Sequence, residues 1–327
     1  LRMQAEASTR MAGLLTGEVH LAPLPEDLLQ QAEKQQMKVV KGLVPGLRVF
    51  LSLRGMYLND IKDPSKGYKF ANTPFRDIKV RQALNKAVNR DELNKAFFNG
   101  QGQTMILNSY HPKRLGWNPE WERQYPAMYG YDAEKAKSLL AEAGYTPANP
   151  LKLDIILTKL TDVPTSEDIQ ESISQYWRKV GIDANLVRMD SNELNLRQRN
   201  LDFDHHVVIA STASHMLTGV RVYQTALHGI RGQAIELPEV NDLYAKVSTI
   251  LDDKQAEPVW RELGDKAFAN FQSVPLLWLD TKIAVNPKFV ADYQFPGSIS
   301  GSWCRSRARR SGSGSATTSI IGARGNP

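Results

Sequence analysis

The chain has 327 residues, 42% hydrophobic and 23% charged, the balance of a soluble globular protein long enough for two domains. No run approaches the roughly 18 apolar residues of a helical membrane span, and a lone cysteine, Cys304, excludes a disulfide framework and any cysteine-based zinc site. The net charge of +6 is a property of the tail: without Arg305, Arg307, Arg309, Arg310 and Arg324, bases exceed acids by one, so nothing outside the tail argues for nucleic acid.

Residues 1–58 read as helix, loop, helix, strand. GLLTGEVHLAPLP is a helix end, a turn at Gly17 and a short extended run. PEDLLQQAEKQQ has proline and acids where a first helical turn favours them. LRVFLSLRG alternates Leu47, Val49, Leu51 and Leu53, which predicts a strand. Residues 77–102 predict two helices in tandem. Val80, Ala83, Leu84 and Ala87 form one stripe, Asn89 and Glu92 make a capping pair for the second helix, and Gly100 stops it. Residues 103–130 show no period and are expected to be an irregular loop containing Trp117 and Trp121, which core packing explains better than ligand stacking.

YDAEKAKSLLAEAGY, residues 131–145, is a helix capped by Asp132 and ended by Gly144, with Ala136, Leu139, Leu140 and Ala143 on one face. Residues 151–189 predict a right-handed β-α-β unit. Its strands are LKLDIILT and IDANLVRM, and its helix is SEDIQESISQYWRKVG, capped by Ser166 and closed by Gly181. SNELNLRQR predicts a short helix, FDHHVVIAS (203–211) a buried strand, and VNDLYAKVSTIL and residues 258–271 further helices. VPLLWLDTKIAVN ends the periodic part as strand. From Cys304 the chain is rich in Arg, Ser and Gly without period, and a disordered or non-native tail is expected over 304–327.

The order of these parts resembles the solute-binding proteins of peptide-type ABC importers, bacterial extracellular solute-binding protein family 5, whose members also serve nickel and oligosaccharides. Three stretches carry the likeness. They are GLLTGEVHLAPLPEDLL; FRDIKVRQALNKAVNRDELNKAFFNGQG, with Phe75, Asp77, Val80, Arg81 and Ala83 followed by Asn89-Arg90; and YDAEKAKSLLAEAGY. The resemblance implies an α/β, two-lobed, periplasmic-binding-protein-like class II fold with lobe one incomplete at the N-terminus, as in a C-terminal fragment. Residues 1–76 would be a remnant of lobe one, 77–280 lobe two, and 281–303 the return to lobe one.

The resemblance also implies a protein at the periplasmic or extracytoplasmic face of the membrane. It would capture a small solute such as a peptide or sugar and deliver it to ABC permease subunits. It would be monomeric, with no catalytic residue, no cofactor, no metal and no nucleic-acid partner. In peptide-binding members the strand like FDHHVVIA leads into a cleft loop with a Trp and an Asp that pairs with the peptide's amino terminus. Ala210 and Ala213 stand there in this chain, so an ammonium would lack its anion. The loop offers Ser211, Thr212, Ser214 and His215, with Arg221 and Tyr223 beyond, and Ser211, Thr212, Ser214, His215 and Arg221 are the expected ligand contacts. The alternative is a metal-dependent hydrolase using His205 and His206 of the DFDHH run. Adjacent strand residues point to opposite faces, which argues against a shared ion.

Overall fold

The computed structural model describes residues 6–42, 44–160, 163–213 and 234–293, with backbone alone at 212 and 213. These residues divide into two compact units, 6–41 with 282–293, and 42–281. Both combine helix and sheet, the α/β class expected. Residues 42–76, expected with the first part of the chain, pack within the larger unit.

The smaller unit contains α1 (Ala7–Thr16), β1 (Leu21–Ala22), α2 (Glu26–Lys34), β2 (Lys38–Lys41) and, returning late in the chain, β9 (Lys282–Val285). β9 lies between β1 and β2, antiparallel to both. Helix α1 stops at Gly17, which takes φ +80° and donates its N–H to the Leu14 carbonyl. A β-carbon there would meet the Phe289 ring at 2.9 Å. Met11, Leu14, Leu29, Ala32 and Ala284 form a small core. Buried Asn286 donates to the Leu14 carbonyl at 3.0 Å, satisfying a helix-end acceptor.

The larger unit is built on a six-stranded mixed sheet. Its elements are β3 (Leu47–Arg54), α3 (Ile78–Lys86), α4 (Arg90–Phe98), β4 (Gln103–Thr104), α5 (Glu120–Tyr129), α6 (Ala133–Glu142), β5 (Lys152–Leu157), α7 (Ser166–Lys179), β6 (Asp183–Arg188), α8 (Ser191–Arg199), β7 (His206–Ala213), α9 (Pro238–Val247), α10 (Asp253–Ala269) and β8 (Val274–Leu279). The strand order is β4-β8-β3-β7-β5-β6. β5, α7 and β6 form the expected parallel crossover unit. β5 is also parallel to β7, whereas β3 is antiparallel to β7 and β8.

Both faces of this sheet are covered. Val49, Leu51, Leu53, Leu153, Ile155, Val207 and Ile209 join the main core with residues of α3, α6 and α7. The alternate positions Ile156 and Val208 pack with Tyr57, Met189 and Phe203 on the other side. Local signals set the helix starts. Asp77, Asn89 and Asp132 accept from the N–H groups of Lys79, Glu92 and Lys135, respectively.

Three expectations change. Residues 103–130 are not wholly irregular: α5 occupies 120–129. Its stripe is aromatic, Trp121, Tyr125 and Tyr129 at intervals of four, and Pro126 inside it disguised the period. Helix α10 starts before Pro258, because Asp252 accepts from Gln255 N–H and sets the start. Ser166 is the first residue of α7 rather than its cap. Its hydroxyl donates to the Thr158 carbonyl and accepts from Leu160 N–H, folding the loop after β5 onto the helix.

Candidate functional site

In the larger unit the parallel strands β5, β6 and β7 end at one edge of the sheet, at Leu157, Arg188 and Ala213. β3 begins at this edge, with Leu47 paired to Ala213, and β8 ends there, with Leu279 paired to Leu47. Open α/β sheets take ligands at such carboxyl ends because loops diverge there and backbone groups are available. The sequence-predicted contacts Ser211 and Thr212 lie on this stretch of β7, paired with Val49 and Arg48 of β3. Ser211 is half-buried. Ser214, His215 and Arg221, with Tyr223, lie outside the described residues. Trp117 and Trp121 belong to the main core; their rings meet edge to face at 5.2 Å.

The same edge carries polar groups that the sequence reading passed over. Arg48 is buried, at 1% exposure, within β3. Its Nη1 donates to Asn108 Oδ1 at 2.9 Å and to the Ser109 hydroxyl, and its guanidinium lies 5.1 Å from the Phe50 ring centroid. This ties the strand to the loop before α5. Buried His111 stands edge-on to Trp278, and the Arg114 guanidinium lies 5.1 Å from the same indole. Burial, followed by the nearby charges of Arg114 and Lys113, lowers the His111 pKa to about 4. The ring is therefore neutral at pH 7, and its Nδ1 accepts from the Lys113 N–H at 3.2 Å. Arg48 falls on the β3 face opposite Leu47, Val49, Leu51 and Leu53. An arginine between Leu47 and Val49 in an apolar strand was the one signal available, and it becomes informative only if that strand is central.

At the opposite end of β7, the structure corrects the reading of the two histidines. The strand begins at His206, so His205 lies outside the pleat and the opposite-face rule does not govern it. Both rings face Asp154 of β5. His205 Nε2 is 3.3 Å and His206 Nε2 3.6 Å from Asp154 Oδ2, and the ring centroids are 4.8 Å apart. His206 is buried and its pKa falls to about 4, chiefly from burial and then from His205 and Arg197.

Two mixed α/β units, the larger with a parallel β-α-β crossover feeding a loop-bearing sheet edge, define the fold class of periplasmic binding proteins. Solved structures share it. HbpA2 of Haemophilus parasuis matches with a TM-score of 0.69 at 21% identity, over 91% of this chain and 55% of that one. DppA of Helicobacter pylori, in complex with the peptide STSA, matches with a TM-score of 0.67 at 24% identity, over 92% of this chain and 55% of that one.

The chain belongs to the bacterial extracellular solute-binding proteins, family 5, whose middle-region family model matches residues 1–229. The dipeptide-binding protein of Escherichia coli is 31% identical over 204 residues, 62% of this chain and 34% of that protein. Heme-binding protein A of Haemophilus influenzae is 38% identical over 116 residues, 35% of this chain and 20% of that protein. The chain thus spans about half the length of the solved structures and about a third or less of these two curated relatives. The family is one of binding proteins, not enzymes, and the hydrolase alternative finds no support in it.

Proposed function

We propose that this chain is part of the substrate-binding component of an ABC importer, which holds a peptide-like or other small solute outside the cytoplasmic membrane and presents it to permease subunits. The observation that carries the reading is the family match over residues 1–229. The relatives' names span dipeptides, haem and nickel, so membership supports solute capture in general. The ligand side of the larger unit is the carboxyl edge of its sheet, where Ser211 and Thr212 sit and from which Ser214, His215 and Arg221 continue the chain. The hydroxyl groups of Ser211, Thr212 and Ser214 suit carbonyls, hydroxyls or an anionic group of the solute, while Arg48, held by Asn108 and Ser109, fixes the neighbouring strand. No bond is made or broken; affinity comes from burying the solute against aimed polar groups.

The test is a thermal melt of the purified chain, extended to any longer form its coding sequence provides, with dipeptides, oligopeptides, a nickel–histidine complex and haem. A solute present at about 100 times its Kd contributes about 2.7 kcal/mol, which raises Tm by several degrees. The same solute recovered chemically intact completes the expected result. Turnover, or the absence of any shift across peptides, chelated metal and haem, overturns the reading.

A further inference from the structure

We infer that Asp154, His205 and His206 form a binding site for one divalent transition-metal ion of the zinc type, at the end of the larger unit's sheet opposite its ligand-side edge. The backbone brings these residues together. Asp154 of β5 and His206 of β7 are paired in register, so their side chains project from the same face. Asp154 N–H donates to the His205 carbonyl at 3.2 Å, which seats His205 beside them. The three donor atoms all lie within 4.8 Å of one another.

The spacing suits a metal. Zinc bonds of about 2.0–2.1 Å in tetrahedral array set neighbouring donors about 3.3–3.4 Å apart. Asp154 Oδ2 stands 3.3 Å from His205 Nε2 and 3.6 Å from His206 Nε2. The donor set, two imidazoles and a carboxylate, is one that zinc, nickel and copper accept.

A second carboxylate completes the arrangement from behind. Asp204 Oδ1 lies 2.5 Å from His205 Nδ1 and 3.6 Å from His206 Nδ1. The Asp204 carboxylate beside His205 Nδ1 favours the tautomer protonated there, with the Nε2 lone pair on the Asp154 side, the relation by which outer carboxylates orient metal-bound imidazoles. His206 Nδ1 is a buried nitrogen without a hydrogen-bond partner, and its side chain is 7% exposed. The His205 and Asp154 side chains remain 34% and 24% exposed, giving an ion access and leaving room for a water ligand.

One group opposes the ion. Arg197 Nη2 lies 3.4 Å from His206 Nε2 while it and Nε donate to the Asp202 carbonyl at 2.9 and 3.2 Å, so the guanidinium has to move off His206 when the ion binds. Asp154, Asp202 and Asp204 offset its charge. An ion here would clamp the start of β5 to the start of β7, about 23 Å along β7 from the ligand-side edge.

The test uses the full chain, freed of any histidine tag and of metal, titrated with zinc alone by calorimetry and then loaded with cobalt for its ligand-field spectrum. The expected result is one zinc per chain, tetrahedral cobalt bands, and binding weakened at least thirtyfold in His205→Gln and in Asp154→Asn. Both substitutions are at partly exposed side chains, and melts without metal confirm that the variants fold. Asp204→Asn, which removes only the orienting acceptor, weakens binding about tenfold. The proposal is overturned if the wild-type chain takes up no zinc, or if His205→Gln and Asp154→Asn retain its affinity within threefold, because the ion then sits elsewhere.

Discussion

His111 shows how a single ring can set an acid limit on stability. In the folded chain its pKa is about 4, against about 6.5 when exposed, because burial disfavours the imidazolium. The unfolded chain therefore binds more protons between these values, and stability rises with pH through that window. The ring's contribution is complete above about pH 6.5 and is lost as pH falls towards 4, a change of up to about 3 kcal/mol. His111→Asn keeps an acceptor for the Lys113 N–H and removes the titration. Urea midpoints between pH 4 and 7 should fall less steeply in the variant than in the parent. Equal slopes would mean that the ring is not buried neutral. Arg48 belongs to the same scale: a strand arginine at 1% exposure was readable as an oddity in the sequence, but its partners Asn108 and Ser109 are 60 and 61 residues away, and separation of that size has no periodic signature.

Among elements, the contact between α5 and α10 was least visible in the sequence, and it rests on a glycine. A β-carbon on Gly264 of α10 would lie 2.4 Å from Trp121 Cη2 and 3.0 Å from Tyr110 Cζ. Trp121 is held in place by its Nε1–H, which donates to Asp265 Oδ1 at 2.8 Å. Gly264→Ala gains about 1 kcal/mol of helix propensity but overpacks a filled core, which costs about 1–3 kcal/mol or more. Since Trp121 cannot retreat without leaving Asp265, the second effect should win and Tm should drop by a few degrees. A rise in Tm would show that the two helices separate cheaply. Elements whose signals are local were legible: the caps at Asn89 and Asp132, the crossover 151–189, and the alternation of β3. α5 was hidden because its buried face is aromatic and Pro126 interrupts it, and the start of α10 because Pro258 looked like a beginning. The opposite-face argument for His205 and His206 failed for a related reason: pleat alternation applies only inside a strand, and the strand starts at His206, the second of the pair.

For the whole molecule, fold and family were legible because three motif-bearing stretches and their spacing survive, whereas under the proposed function the choice of solute rests on a few side chains at and after the carboxyl end of β7. Those side chains yield a prediction about which solutes fit. The resemblance to peptide-binding members places the amino-terminus-pairing carboxylate at Ala213. An ammonium buried without a carboxylate forfeits several kcal/mol, since desolvation is no longer offset by an opposite charge. If the solute is a peptide, this protein should not depend on its free amino terminus. Any dipeptide that binds should therefore bind within about threefold as its N-acetyl form, where a site built around a carboxylate would lose two or more orders of magnitude on acetylation. Ala213→Asp should reverse the order, favouring the free amine and disfavouring the acetylated peptide. Calorimetric titration of both peptide forms into both proteins measures the four affinities. A parent protein that binds the free amine and rejects the acetylated peptide would show that another residue supplies the anion, and that the carboxyl end of β7 is not where the solute's terminus lies.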